Sequence, residues 1–224
     1  MQRIIYSIFF MTIFSLSNAQ PRPLRYVALG DSYTICTGTG TAQEHWPDIL
    51  VKHLAAAGIA INLEAIPARN GYSTQNLIDE ELPVFDETKP DFVTLLIGVN
   101  DWVRGVDSTD FHKNLVFILD HVQSGLPVKN HLVLFTIPDF GVTPQGALYS
   151  RGRNISEGIS AFNAIIQQEA VRRGLLCIDV FPLSKAMGTD ASLVAADGLH
   201  PSAREYAFWE EKAFPEIKKL LQKK

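Results

Sequence analysis

Five short β-rich runs alternate with stretches whose apolar residues recur at helical spacing, and this alternation leaves few folds open to the chain. The runs are Tyr26–Leu29, Ile61–Ile66, Phe92–Ile97, Leu132–Ile137 and Leu175–Val180. Most are apolar almost throughout, as strands covered on both faces are, while Ile61–Ile66 carries Asn62 and Glu64. Between them, His45–Ala57 ends at Gly58, Ser73–Leu82 stops before Pro83, and Phe111–Val122 aligns Phe111, Leu115, Ile118, Leu119 and Val122 on one stripe. Ile155–Arg173 starts at an Asn154/Glu157 capping box and ends at Gly174. A last helix, Ala203–Leu221, follows a Ser202/Glu205 box and turns Tyr206, Trp209, Phe214 and Ile217 toward the sheet. The pattern predicts an α/β protein, a three-layer α/β/α sandwich around a five-stranded parallel sheet. The flavodoxin-like order 2-1-3-4-5 is the expected one. No repeat, low-complexity run or linker divides residues 20–224, which read as a single domain.

The N-terminus reads as a separate piece. Arg3 precedes an uncharged stretch, Ile4–Leu16, and Ser17-Asn18-Ala19 supplies small residues before Gln20. A basic start, a short apolar stretch and a small-residue exit make a secretory signal, residues 1–19, with cleavage after Ala19. The apolar stretch would rise only about 20 Å as a helix, short of a ~30 Å hydrocarbon core. The expected location is therefore secreted or periplasmic, without stable membrane insertion of the mature chain. Export would let a disulfide survive. In the expected strand order, however, Cys36 and Cys177 lie three strand spacings apart, about 14 Å, beyond disulfide reach. Both read as small buried hydrophobes.

Charge narrows the partners. Lys and Arg total 20 against 24 Asp and Glu, a net charge of −4, with no long basic run. Nothing here builds the cationic footprint of a nucleic-acid binder. Two cysteines cannot build a cysteine zinc site or a disulfide scaffold.

In a parallel sheet, chemistry gathers beyond the carboxyl ends of the strands. There the chain places Gly30-Asp31-Ser32, Asn70-Gly71, Gly98-Val99-Asn100-Asp101, Pro138-Asp139-Phe140-Gly141 and Asp197-Gly198-Leu199-His200-Pro201. These parts fit acyl transfer. Ser32 is a candidate nucleophile, His200 its base, and Asp197 the carboxylate that orients the base. Candidate oxyanion donors are the N–H groups of Ser32 and Gly71 and the side-chain amide of Asn100. Asp31 reads as a turn-fixing residue. Each piece alone has a plainer meaning: a helix cap, a tight turn, an exposed loop. Together they supply complementary parts at one rim.

Gly30-Asp31-Ser32, Gly71, Gly98-Val99-Asn100-Asp101 and Asp197-Gly198-Leu199-His200-Pro201 stand in the order of the four blocks of the SGNH/GDSL hydrolase superfamily, which the chain resembles from about Tyr26 to Trp209. It is most similar to the lysophospholipase-like esterase branch. The resemblance implies Ser32 as nucleophile and oxyanion donor, Gly71 and Asn100 as the other donors, His200 as base, and Asp197 as its orienting partner. It also implies a carboxylic ester hydrolase. Tyr33 stands where the motif name has Leu. Cys36 stands where relatives often carry Gly, and a side chain there is expected to narrow the site. The chain has no Gly-x-Ser-x-Gly elbow, no His-Glu-x-x-His motif and no phosphate loop.

Three functions stay open from the sequence: an exported serine esterase acting on small-molecule or lipid esters, a carbohydrate O-acetyl esterase, and a non-catalytic binding module on a hydrolase scaffold. None calls for a metal or organic cofactor. His45, His53, His112, His121 and His131 read as solvated or capping residues, Trp46 and Phe140 as core or pocket lining. Asn154-Ile155-Ser156 matches a glycosylation sequon. Acyl length, alcohol and oligomeric state are not legible. Loops Thr37–Glu44, Trp102–Ser108 and Thr143–Arg153 are expected to shape the substrate site; the Thr37–Thr41 run, with Gly38 and Gly40, reads as mobile, and whether the Thr37–Glu44 loop gates access is not legible.

Overall fold

The structure, a computed structural model, describes residues 22–223; the expected signal segment lies outside the described residues. The elements in chain order are β1 (Leu24–Gly30), α1 (Trp46–Ala56), β2 (Ile61–Ala65), α2 (Thr74–Asn76), a π turn (Leu77–Glu81), α3 (Leu82–Thr88), β3 (Phe92–Leu96), α4 (Val99–Arg104), α5 (Ser108–Gly125), β4 (Leu132–Phe135), α6 (Ile155–Arg173), β5 (Leu176–Ile178), α7 (Phe181–Ser184) and α8 (Ala203–Gln222). The five strands are parallel and run 2-1-3-4-5. The fold class and strand order expected from the sequence are thus observed.

Handedness assigns the helices to the layers. From β1 the chain steps one way to β2 and the other way to β3, β4 and β5. Right-handed crossovers therefore put α1 on one face and α3, α5 and α6 on the other. The observed packing agrees: α1 lies against α8, while α5 lies against α2, α3 and α6. The α5 stripe of Phe111, Leu115, Ile118, Leu119 and Val122 is wholly buried, worth about 1.5–3 kcal/mol per large side chain. Reversal of direction between β1 and β3 leaves a crevice at their carboxyl ends, where such sheets bind ligands.

Three local expectations differ from the structure. The helix expected to stop before Pro83 continues to Thr88. Pro83 sits just after the π turn, where Leu82 N–H reaches back five residues to Leu77 O. The change of register occurs where proline's missing donor would otherwise break the ladder. At α8, Ser202 accepts the Glu205 N–H as a cap should, but the Glu205 side chain does not return to complete a box. It is buried and accepts the Trp209 indole N–H at 2.8 Å. At α6, likewise, Asn154 accepts the Glu157 N–H but the Glu157 side chain does not return to complete the expected box, and Ser156 Oγ donates to Asp139 Oδ1 at 2.9 Å. Cys36 and Cys177 are both free, the first in the turn after β1 and the second within β5; Cys36 is buried and burial pushes its thiol well up, while burial pushes Cys177 up to about 12.

Glu169 on α6 ties that face together. Its carboxylate meets Arg172, Arg173 Nε at 3.0 Å and His112 Nε2 at 2.8 Å. Burial works against the charge, but Arg172, His112 and Arg173 outweigh it and hold the carboxyl down at about 2, below its ordinary 4.5. A depressed carboxyl stabilises the fold above its unfolded value and loses that contribution as the pH falls through the folded one. Glu169→Gln is expected to cost about 2–3 kcal/mol at neutral pH. The cost should shrink between pH 4.5 and 2, the two values just given. Urea unfolding of both proteins across that range checks it; a gap that stays constant would contradict the assignment.

Candidate active site

Ser32 follows β1 on a tight turn. Thr34 and Ile35 N–H both bond Asp31 O, and Thr37 N–H bonds Ser32 O at 2.9 Å. Gly30 opens the turn at φ 152°, and a Cβ there would lie 2.2 Å from Leu96 O on the neighbouring strand. The close approach of β1 to β3 therefore requires glycine. Asp31 points inward, as expected, and its Oδ1 accepts the Tyr33 N–H at 3.0 Å. Burial pushes its carboxyl up to about 8.

Asn100 lies in α4, directly after β3 and across the crevice from Ser32. Its amide donates one bond, to Tyr72 O at 2.9 Å, which leaves its second N–H free to donate. That bond also ties Asn100 to the loop carrying Gly71. Gly71 has φ +81°, the region glycine occupies without strain. Its carbonyl accepts from Arg104 at 2.7 Å, and the same guanidinium binds Ser73 and Asn76. Among the described residues, neither Ser32 N–H nor Gly71 N–H donates to a protein acceptor. Three free donors, two backbone and one side-chain, thus come from the three rim segments named from the sequence.

The fourth segment is a turn closed by Ala195 N–H to His200 O at 2.8 Å and by Ser202 N–H to Leu193 O at 2.8 Å. His200 Nδ1 lies 2.6 Å from Asp197 Oδ2. Asp197 Oδ1 accepts the N–H groups of Leu199 and His200, each at 2.9 Å. Burial raises the Asp197 carboxyl, but the His200 ring and the two backbone donors more than offset this and leave it below its ordinary value. A carboxylate held this way fixes the imidazole with Nδ1 as the donor and turns Nε2 outward as the free acceptor.

Ser32, Asn100 and His200 line one cleft of about 70 Å³. Tyr33, Val99, Val103, Phe140, Tyr149 and Leu199 complete its wall. Ser32 Oγ and His200 Nε2 make no direct hydrogen bond; contacts of this kind tighten when substrate is bound. Gly71 is not part of the cleft wall and joins the site through Tyr72 and Asn100. Among the described residues, no three His, Cys, Asp or Glu side chains are placed to hold a metal ion.

Several sequence expectations find a different place. Cys36 does not narrow the cleft: φ +55° turns it inward, where its Sγ accepts the Trp46 N–H at 3.3 Å. Trp46 is core, its ring tilted 38° against Phe135, whereas Phe140 lines the cleft. None of Thr37–Glu44 lines the cleft. That run is tied to Asn70 through Thr37, to Tyr206 through Thr37 O, and to Glu44 through the Gly40 N–H. The other five histidines have structural partners: His53 with Glu210, His112 with Glu169, His121 with Asp86, His45 beside Asp48, and His131 with Asp91 O. Sequence reasoning missed Tyr149, Leu199 and Val103 as cleft walls and Arg104 as the anchor of the Gly71 loop. Only the loop ranges holding Val103 and Tyr149 gave a signal.

With this geometry in place, the GDSL-like Lipase/Acylhydrolase family is found to match residues 28–208. The chain belongs to that family. Membership puts it among the carboxylic ester hydrolases. A multidomain esterase of Ruminococcus flavefaciens is 30% identical over 121 residues, which cover 52% of this chain and 14% of that protein. The chain thus matches only a small part of that relative's length. The fold is shared with TesA (TM-score 0.69, 23% identity, 88% of this chain and 99% of that one). It is shared likewise with the psychrotrophic esterase EstA from Pseudoalteromonas sp. (TM-score 0.67, 20% identity, 89% and 99%). Axe2, an acetylxylan esterase from Geobacillus stearothermophilus, gives a TM-score of 0.70 at 19% identity, over 88% and 94%.

Proposed function

We propose that the protein is an exported serine esterase that hydrolyses short-acyl carboxylic esters through an acyl-Ser32 intermediate. The observation that carries this reading is the shared cleft of Ser32, Asn100 and His200, with the His200 ring held by Asp197 at 2.6 Å. Ser32 Oγ attacks the ester carbonyl and its proton passes to His200 Nε2. The tetrahedral oxyanion is received by the N–H groups of Ser32 and Gly71 and the free N–H of Asn100. His200 then protonates the departing alcohol. Water repeats the sequence on the acyl-enzyme, with His200 again as base, and releases the acid and free Ser32. The apolar wall of Val99, Val103, Phe140 and Leu199 suits an acyl group rather than a charged one. Export rests on the basic, apolar and small-residue succession of residues 1–19. Among the described residues no helix is long and apolar enough to cross a membrane.

Cleft size supports the short-acyl part of the proposal. The cleft is small, about 70 Å³, which suits an acetyl or propionyl group better than a long chain. The acetylxylan esterase among the structural neighbours makes acetylated carbohydrate the natural second substrate to test. In a p-nitrophenyl ester series, kcat/KM is expected to fall by about tenfold or more between butyrate and decanoate, since a chain too long for the cleft clashes with its wall and draws the carbonyl away from Ser32. A flat or rising series would defeat the short-acyl proposal. Mass spectrometry should find the acyl group, or an organophosphonate probe, on Ser32; an enzyme that stays unlabelled would return the binding-module reading to the front.

A further inference from the structure

Beneath the cleft lie buried carboxyls that the acyl-transfer reading does not use: Asp31, Glu81 and Asp101. Asp101 is satisfied by the N–H and hydroxyl of Thr74. The other two are different. Glu81 Oε2 accepts the Gly30 N–H at 2.9 Å, and Asp31 Oδ1 accepts the Tyr33 N–H at 3.0 Å. The second oxygen of each, Glu81 Oε1 and Asp31 Oδ2, is buried with no protein partner. Glu81 is the last residue of the π turn, 51 positions from Gly30 in sequence. Nothing in helical periodicity calls for a carboxyl there, and the fold buries it completely. Buried carboxyls on this scale are costly unless they serve a purpose.

We propose that Glu81 and Asp31 are positioning residues for Ser32, holding the backbone N–H groups on either side of it so that its hydroxyl and its own N–H keep the orientation that attack requires. The inference rests on the reading of Ser32 as nucleophile. The grip spans the turn: Gly30 at its entry is held from the π turn, and Tyr33 at its exit is held by Asp31. Gly30 has no side chain to anchor it and sits at the last pair of the β1–β3 ladder, opposite Leu96, so the bond from its N–H to the Glu81 carboxyl adds a second hold. Burial raises both carboxyls, Asp31 to about 8 and Glu81 well above its ordinary value, with Asp101 adding to the rise at Asp31 and Asp31 and Glu80 adding to it at Glu81. A carboxyl that keeps its proton still accepts through its carbonyl oxygen. An amide of the same shape can therefore take its place.

The test compares Glu81→Gln, which keeps the acceptor, with Glu81→Met, which removes it. With p-nitrophenyl acetate, E81Q is expected to hold kcat within about twofold. E81M should lose about ten- to hundredfold in kcat with KM within about threefold, because the turn moves while the cleft wall does not. A folded E81M with wild-type kcat overturns the proposal. So does an E81Q that falls as far as E81M, or a loss confined to KM. If E81M does not fold, Asp31→Ala against Asp31→Asn decides by the same criteria. Ser32→Ala run in parallel separates the two readings: an active S32A removes the nucleophile assignment, whereas an inactive S32A beside a fully active E81M removes only the positioning role.

Discussion

Ser32→Ala is expected to lower ester turnover by about 10⁴- to 10⁶-fold, leaving a folded protein. The size of the loss follows from what the hydroxyl does. Without Oγ no acyl-enzyme forms, and His200 has no proton to take. What survives is the set of donors at Ser32 N–H, Gly71 N–H and Asn100, which still lowers the barrier for direct attack by water; such residual catalysis is about 10³–10⁴ over solution in serine hydrolases. The fold should be nearly indifferent. Ser32 Oγ lies at the cleft and is not among the buried atoms that lack a partner. Its removal breaks no protein hydrogen bond, and the turn is held by backbone bonds and by Asp31. Melting temperature within about 3 °C of wild type is therefore expected. A purified S32A that retains a tenth of the wild-type rate would overturn the assignment.

Asn100→Ala is expected to reduce kcat by about 10²- to 10³-fold, the loss typical of one oxyanion donor, about 2.7–4 kcal/mol. KM should change little, because the amide bonds the oxygen most strongly once it carries charge. Asn100 has a second task that raises the expected loss toward the upper end. Its bond to Tyr72 O at 2.9 Å braces the Gly71 loop, so truncation weakens two donors at once. Arg104 still holds Gly71 O at 2.7 Å in the variant, which should keep the loop from unfolding. Steady-state kinetics on a short ester decide the matter. A raised KM with unchanged kcat would mean that Asn100 binds the ground state only.

Much of this architecture was legible before any coordinates. The run Phe92–Ile97 and the stripe from Phe111 to Val122 declare strand and helix through periods of neighbouring residues. Asp197 and His200 lie three positions apart, so the turn that joins them is itself a local matter. Pro83 misled because proline's usual effect assumes an unbroken α register, and the π turn at Leu77–Glu81 shifts that register. Glu205 misled because the box pattern competes with a partner four residues on, the Trp209 indole, that only a buried α8 brings into play.

Sequence alone determined the alternation of strands and helices and the four segments that meet at the rim, since short-range periodicity and strand-end position suffice for both; it offered the strand order only as the expected one among several, and the tertiary structure fixed it. Tertiary structure alone decided the cleft's size, its wall of Val103, Tyr149 and Leu199, the inward turn of Cys36, and the carboxyl of Glu81 beneath Gly30. Those features arise where segments tens of residues apart come into contact, and contact at such range is set by packing of the whole domain rather than by any local pattern.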